Sequence, residues 1–245
     1  MPYYFYGFDW TYLVLVVPCI ILSLVASASV NSTFKRYSQQ ISSRRITGAE
    51  AAQRVLSMNG VTGVRIERIS GNLTDHYDPK TNVIRLSDNV YDNPSTAAIG
   101  VACHEAGHAV QYATNYAPIH LRAAIIPVTN LGSKLAMPLI LLGIVLGALS
   151  DMSYFFVYAG IACFALSLVF QLVTLPVEFN ASHRALQAID QGGLLTEEEQ
   201  KGARKTLTAA AMTYVAATAV SLAQLLRLLL IFGRRDNDLP HIFPF

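Results

Sequence analysis

The stretch Cys-His-Glu-Ala-Gly-His at residues 103–108 carries the pattern H-E-x-x-H inside a predicted helix. Residues four positions apart lie on the same face of an α-helix, so His104 and His108 can direct two imidazoles at one metal ion. Glu105 reaches the same place and can take a proton from a water molecule there. The pattern predicts a zinc site. The competing interpretation is two core histidines that happen to lie four residues apart.

The composition around this motif is typical of a membrane protein. Of the 245 residues, 53% are hydrophobic and only 14% are charged, whereas soluble proteins carry about 25% charged residues. The net charge of +2 and the lack of a basic stripe argue against a nucleic-acid partner. Cys19 and Cys163 fall in apolar runs, so no disulfide framework is expected. Cys103 points about 100° away from His104 around the helix and is interpreted as a packing residue.

The first apolar run predicts a membrane-spanning helix. Residues 10–34 contain no charge, and their core at residues 11–30 is long enough to cross about 30 Å of hydrocarbon. No positively charged segment precedes the run, as a cleaved signal peptide would require, so we expect it to be retained. The run is followed by Lys35, Arg36, Arg44 and Arg45. By the positive-inside rule, this end of the helix is cytoplasmic.

The polar part of the chain follows and contains the histidine pair. Thr47 and Glu50 have the spacing of a capping box, which predicts the start of a helix. Alternating apolar side chains predict short strands at residues 64–69 and 82–86. The helix that carries the histidines is expected to run from residue 95 to about residue 114. The strand before it either offers an edge to an extended peptide or only covers the helix, and both interpretations stay open.

A second apolar region is interpreted as a transmembrane hairpin. Residues 135–150 and 153–177 form its two arms, with a turn at residues 151–152 on the outside. Residues 123–130, which include Pro127, are interpreted as an interfacial or broken segment.

The C-terminal third is predicted to contain two more helices. Residues 178–190 form a polar-faced helix on the cytoplasmic side, and residues 207–232 form a last apolar segment. If this segment crosses the membrane, the two arginines at residues 234–235 lie outside, against the positive-inside rule. The sequence therefore leaves the C-terminal topology open.

Two histidines leave a catalytic zinc site one protein ligand short, because such sites hold three protein ligands and a water molecule. The candidates are the acidic residues and His76, His120, His183 and His241. Glu178 stands out because it directly follows an apolar run, where an uncompensated carboxylate is costly. The alternative is a carboxylate at the membrane boundary that pairs with Arg184 or is hydrated.

Two motifs carry a family resemblance. Cys-His-Glu-Ala-Gly-His-Ala-Val-Gln at residues 103–111 and Leu-Pro-Val-Glu-Phe-Asn-Ala-Ser at residues 175–182 resemble the YugP-like neutral zinc metallopeptidases of bacterial membranes. The pattern is also similar to the wider gluzincin class, where a Glu-x-x-Ala-Asp stretch supplies the third zinc ligand and its Asp orients a ligating histidine. The resemblance implies that Glu178 is this ligand and that Ser182 stands where the Asp would be. A serine accepts a hydrogen bond but brings no charge, which is a departure from the pattern.

The resemblance and the hydropathy pattern together predict the fold class. We expect a mainly α, polytopic membrane protein with a small α+β gluzincin-like zinc peptidase domain. The predicted parts are an N-terminal transmembrane helix (1–34), a zinc peptidase domain (35–119), a transmembrane hairpin (120–177), a third-ligand helix with the following cytoplasmic-side helix (178–206), and a C-terminal apolar helix and tail (207–245).

The expected function is that of a membrane-bound zinc-dependent endopeptidase. One zinc ion per chain is expected to be bound by His104, His108 and Glu178. Glu105 acts as the general base for the attacking water. The alternatives are a non-catalytic membrane protein with a structural metal site and an intramembrane protease of the site-two type.

Further roles are predicted around the zinc ligands. His183 is a candidate donor to the oxyanion, and Asn180 and Ser182 are expected to support the ligands. The expected partners are a peptide or membrane-protein substrate and membrane lipids, with the oligomeric state open. The expected location is the plasma membrane of a bacterium, as a multi-pass protein with its active site on the cytoplasmic side.

Overall fold

The computed structural model describes residues 4–5, 8–146 and 153–233. The strands are β1 (Tyr4–Phe5), β2 (Phe8–Asp9), β3 (Arg65–Ile69), β4 (His76–Asp78) and β5 (Val83–Ser87). The helices are α1 (Val17–Tyr37, preceded by a π-helical turn at Tyr12–Val16), α2 (Gly48–Met58), α3 (Asp88–Tyr91), α4 (Thr96–Ala113), α5 (Ala117–Leu146), α6 (Ser153–Gln191) and α7 (Glu197–Phe232). The protein is mainly helical with a small α+β part, which confirms the predicted fold class.

Within the described residues, four helices are long and apolar enough to cross a membrane. They are Tyr12–Tyr37, Ala117–Leu146, Ser153–Gln191 and Glu197–Phe232. Large apolar side chains such as Leu24, Leu131 and Phe155 are exposed on them, as expected where lipid covers the surface. At 1.5 Å per residue, α6 and α7 are about 58 and 54 Å long, so each also extends beyond a hydrocarbon core of about 30 Å.

Two predicted interruptions are wrong. Residues 123–130 are not a broken segment, because α5 runs through Pro127 and Pro138 without a break. Residues 178–190 are not a separate helix, because α6 continues through Pro176 to its end. Membrane helices tolerate proline, since a loop in lipid would leave many more backbone groups without hydrogen bonds than one proline does.

Some predicted features lie outside the described residues. They are the turn at residues 151–152, the arginine pair at residues 234–235 and the third-ligand candidate His241.

The chain divides into two compact units. The first unit comprises Met1–Leu24, Arg122–Val173 and Val215–Phe245, and the second comprises Val25–Leu121 and Thr174–Tyr214. The first unit has a small apolar core formed by Ile140, Val157, Ile161 and Leu228. Its helices α5 and α6 approach closely at two glycines: a Cβ on Gly143 or Gly160 would lie 2.7 Å from a backbone oxygen of the other helix. Small residues at such crossings are typical of membrane helix packing.

The second unit contains the three-stranded sheet, in the order β3-β5-β4. β5 is parallel to β3 and antiparallel to β4, and its side chains Val83, Ile84 and Leu86 are fully buried. The strand before the histidine helix is therefore central, and its edges are not free for an extended peptide. β4 was not predicted, because three residues are too few for an alternating pattern to be recognised.

The histidine helix α4 lies in the core of the second unit. Its N-cap is Ser95, whose hydroxyl accepts a hydrogen bond from the backbone N–H of Ala98 at 3.2 Å. The predicted capping box of α2 is confirmed, because the side chains of Thr47 and Glu50 each accept a hydrogen bond from the other residue's backbone N–H. Most of α4 is buried, so its histidines are held on a rigid element.

Candidate metal centre

The two histidines of α4 face a carboxylate on α6. Oε2 of Glu178 lies 3.3 Å from Nε2 of His104 and 3.6 Å from Nε2 of His108. The three candidate ligand atoms all lie within 4.8 Å of one another. Ligands 2.0–2.1 Å from a tetrahedral zinc ion are about 3.3–3.4 Å apart. The structure therefore brings together the three residues predicted to bind zinc, at a spacing that suits this metal.

The chemistry of these donors also fits zinc. Glu178 is only 2% exposed, and its carboxylate faces both imidazoles. The predicted alternative of a pair with Arg184 is not found: Nε of Arg184 donates to Oδ1 of Asn180 at 2.8 Å, and its guanidinium lies over the ring of Tyr116. Two imidazoles and one carboxylate are a common donor set of catalytic zinc sites.

The other described histidines lie outside this group. His76 on β4 donates from Nδ1 to the backbone oxygen of Thr74 at 2.8 Å. His120 packs its ring edge-on against Tyr112. The side chain of His183 is exposed. Within the described part of the chain, Glu178 is therefore the candidate that completes the ligand set.

Gly107 allows α4 and α6 to approach at this point. A Cβ on Gly107 would lie 2.8 Å from the backbone oxygen of Ala181, a distance shorter than a carbon and an oxygen normally keep. Gly107 lies between the two histidines, and Ala181 lies one turn beyond Glu178. The glycine of the motif thus sets the short distance between the helices that lets the carboxylate reach the imidazoles.

Each histidine is oriented through its second ring nitrogen. Nδ1 of His104 lies 3.1 Å from the hydroxyl of Ser182, and Nδ1 of His108 lies 3.0 Å from Oε1 of Gln111. If each Nδ1 carries the proton and donates, each Nε2 keeps its lone pair for the metal. Ser182, which was predicted to support the ligands, therefore contacts His104 directly.

Gln111 connects His108 to α6 and was not predicted. Its side chain is fully buried, and its amide donates to the backbone oxygen of Val177 at 2.8 Å and to Oδ1 of Asn180 at 3.0 Å. Asn180, which was predicted to support the ligands, is therefore linked to His108 through Gln111. The signal that sequence reasoning missed was a polar residue three positions after a ligand, on the buried face of the same helix.

Replacing Gln111 with alanine is expected to weaken zinc binding by about 10- to 100-fold, the usual cost of losing a partner that orients a ligand. The ring of His108 loses its acceptor, and the backbone oxygen of Val177 loses its donor. Competition with a chelator of known affinity measures the effect. Gln53→Ala, at an exposed position on α2, is the matched control. An unchanged zinc affinity in the Gln111 variant would contradict the orienting role.

Cys103 packs into the core next to these ligands. It is fully buried within the hydrophobic cluster of the second unit, and burial raises the pKa of its thiol. Zinc binds the thiolate form, which this environment disfavours. The structure agrees with the interpretation of Cys103 as a packing residue.

A cavity of about 460 Å³ within the second unit opens onto the ligands. His104, Glu105 and Glu178 all line it, and Glu105 is only 8% exposed. His183 is not among the lining residues, so its role as an oxyanion donor stays a prediction. Tyr214 and Asn31 also line this cavity and carry hydrogen-bond donors. Three protein ligands on one side and open space on the other are typical of a catalytic zinc site.

Comparisons with known proteins agree with this geometry. A family described as "Putative neutral zinc metallopeptidase" matches residues 12–233. The chain is 46% identical over 228 residues to the "Putative membrane protease YugP" of Bacillus subtilis (strain 168), covering 92% of this chain and 99% of that protein. No solved structure matches. The resemblance noted in the two motifs is thus confirmed, and the chain belongs to the family described as "Putative neutral zinc metallopeptidase".

Proposed function

We propose that this protein is a membrane-bound endopeptidase that binds one zinc ion per chain and hydrolyses peptide bonds of peptides or membrane proteins. The observation that carries the proposal is a cluster of three zinc-type ligand atoms beside a cavity that His104 and Glu178 line together with a further carboxylate, Glu105. The family's description as a zinc metallopeptidase supports it.

The metal ligands and the proton-transferring residue have separate roles. His104, His108 and Glu178 hold the metal, and Ser182 and Gln111 keep the two imidazoles in position. A zinc ion held by these residues would supply Lewis acidity, which would polarise a substrate carbonyl and make a water molecule easier to deprotonate. Glu105 accepts the proton of the attacking water and then delivers it to the leaving amine. Because Glu105 does not need to bind the metal, its carboxylate is available for this proton transfer.

We also propose that the active site faces the cytoplasm of a bacterial cell. Lys35 and Arg36 end α1 and belong to the same compact unit as the metal centre. Basic residues next to a membrane span favour the cytoplasmic side. The Bacillus relative, named a membrane protease, supports a location in the plasma membrane.

The two alternative functions have less support. A structural zinc site is normally closed by four protein ligands, whereas the group found among the described residues has three and borders a cavity. A protease of the site-two type carries its histidine motif within a membrane span. The helix α4 is not one of the four helices that could cross a membrane.

Removal of zinc is expected to abolish peptide hydrolysis. The detergent-purified full chain is incubated with an internally quenched peptide mixture before and after dialysis against a chelator. Hydrolysis should disappear with the metal and return on addition of one equivalent of zinc per chain. Activity that survives complete removal of zinc, verified by elemental analysis, would refute a zinc-dependent mechanism. A protein that binds zinc but cleaves no peptide would favour the structural alternative.

A further inference from the structure

One wall of the cavity beside the metal centre is a single face of α7. Leu207, Ala210, Ala211 and Tyr214 all line it, and their spacing of three, four and seven residues places them on one side of a helix. Leu207 and Ala211 are 3% and 7% exposed. Thr213 lines the cavity as well, and its hydroxyl donates to the backbone oxygen of Ala210 at 2.7 Å. This wall is therefore mainly apolar, and two of its five residues, Ala210 and Ala211, have no side chain beyond Cβ.

The wall provided by α1 is more polar. Ser27, Val30 and Asn31 line the cavity from this helix, and Ser27 and Asn31 are exposed. The amide nitrogen of Asn31 donates to the backbone oxygen of Ser27 at 3.1 Å, while its amide oxygen can accept a further hydrogen bond. This side suits a peptide backbone, whose N–H and C=O groups need partners, whereas the α7 side suits an apolar side chain.

The cavity is large enough to hold a peptide backbone and an apolar side chain together. A cavity of about 150 Å³ holds a benzene molecule, and the space here is about three times larger, at about 460 Å³. A peptide bond at the metal and an adjoining aromatic or branched side chain fit together in this volume. The alanines at positions 210 and 211 leave this room, because a larger side chain at either position would project into the cavity.

We propose that this cavity is a specificity site that selects a bulky apolar residue next to the scissile bond, with Ala210 and Ala211 as the specificity-determining residues. The proposal rests on the proposed peptidase function and adds its substrate class: polypeptides that present an aromatic or large aliphatic residue, such as segments that leave a membrane or a folded core. An apolar pocket distinguishes side chains that differ by a methylene group by about 10- to 200-fold in kcat/KM.

The experiment uses the zinc-loaded full chain and a peptide library. Members of the library differ at one position at a time, with Phe, Leu, Ala or Gly, and mass spectrometry identifies each cleaved bond. Wild-type protein is expected to prefer Phe or Leu at one of the two positions that flank the cleaved bond, by at least about 10-fold over Ala or Gly. Ala210→Phe, at a half-buried position, should lower cleavage of the Phe and Leu peptides at least tenfold. Cleavage of the Ala and Gly peptides should fall much less, so that the preference for Phe and Leu is lost.

Control variants distinguish the effect of filling the cavity from the effect of a destabilised protein. Thr208→Phe adds the same side chain at an exposed position on α7 that does not line the cavity, and it should keep the wild-type preference. Ala210→Val, a smaller change, covers the case in which the Phe variant fails to fold, and it should reduce the preference partly. Zinc content and Tm are measured for every variant.

The outcomes distinguish this proposal from the one on which it rests. Cleavage of the library without any preference, or an equal loss for all peptides in a folded and zinc-loaded Ala210 variant, would overturn the specificity site and leave the peptidase function intact. No cleavage of any peptide by zinc-loaded wild-type protein would overturn both.

Discussion

A Glu105→Gln protein is expected to lose peptide hydrolysis while it keeps its zinc. Glutamine has the shape of glutamate and fits the same nearly buried position, but it cannot accept a proton from water. General acid–base catalysis contributes about 10²- to 10⁴-fold to such reactions. We therefore expect kcat to fall by about 10²- to 10⁴-fold, with one zinc ion per chain still found by elemental analysis.

The comparison needs a control that changes a carboxylate elsewhere. Glu198→Gln removes an exposed carboxylate in the first turn of α7, and it should retain wild-type activity and zinc. Activity within tenfold of wild type in the Glu105 variant would show that another group is the general base. Loss of zinc together with activity would instead assign Glu105 to metal binding.

Replacing Glu178 is expected to remove the metal itself. Glu178→Ala deletes the carboxylate that faces both imidazoles. Two of the three proposed protein ligands then remain, fewer than catalytic zinc sites use. The purified variant should contain little zinc. Zinc should also no longer raise its Tm, whereas a wild-type protein gains about 4 kcal/mol at a zinc concentration 1,000 times the Kd.

The matched control lies on the same helix. Asp190→Asn changes an exposed carboxylate three turns further along α6 and should bind zinc normally. Full zinc retention by Glu178→Ala would move the third ligand to another residue. The peptidase proposal would survive that result, but the assignment of Glu178 on α6 as the third zinc ligand would not.

Local patterns predicted much of this protein because their causes are local. The i, i+4 histidines, the capping box of α2 and the apolar runs each depend on residues within one or two helical turns of each other. Glu178 could be proposed before the structure because a carboxylate beside an apolar run needs a partner, and the family motif pointed to the same residue.

The remaining features depend on contacts between distant parts of the chain. Gln111 meets Val177 across 66 residues of sequence, and His104 meets Ser182 across 78. No periodicity within one segment reports such contacts. The same holds for the α7 wall of the cavity. We wrongly predicted helix breaks near Pro127 and Pro176 because proline usually interrupts helices in water. In lipid, a continuous helix is favoured.

The position of the ligands along the chain has a consequence for biosynthesis. His104 and His108 precede Glu178 by 74 and 70 residues, which the ribosome adds in roughly 4 to 15 seconds at 5–20 residues per second. The residues of α7 that complete the cavity emerge later still. A nascent chain therefore carries an incomplete ligand set until α6 has been made, and the metal centre cannot be completed before most of the chain has been translated.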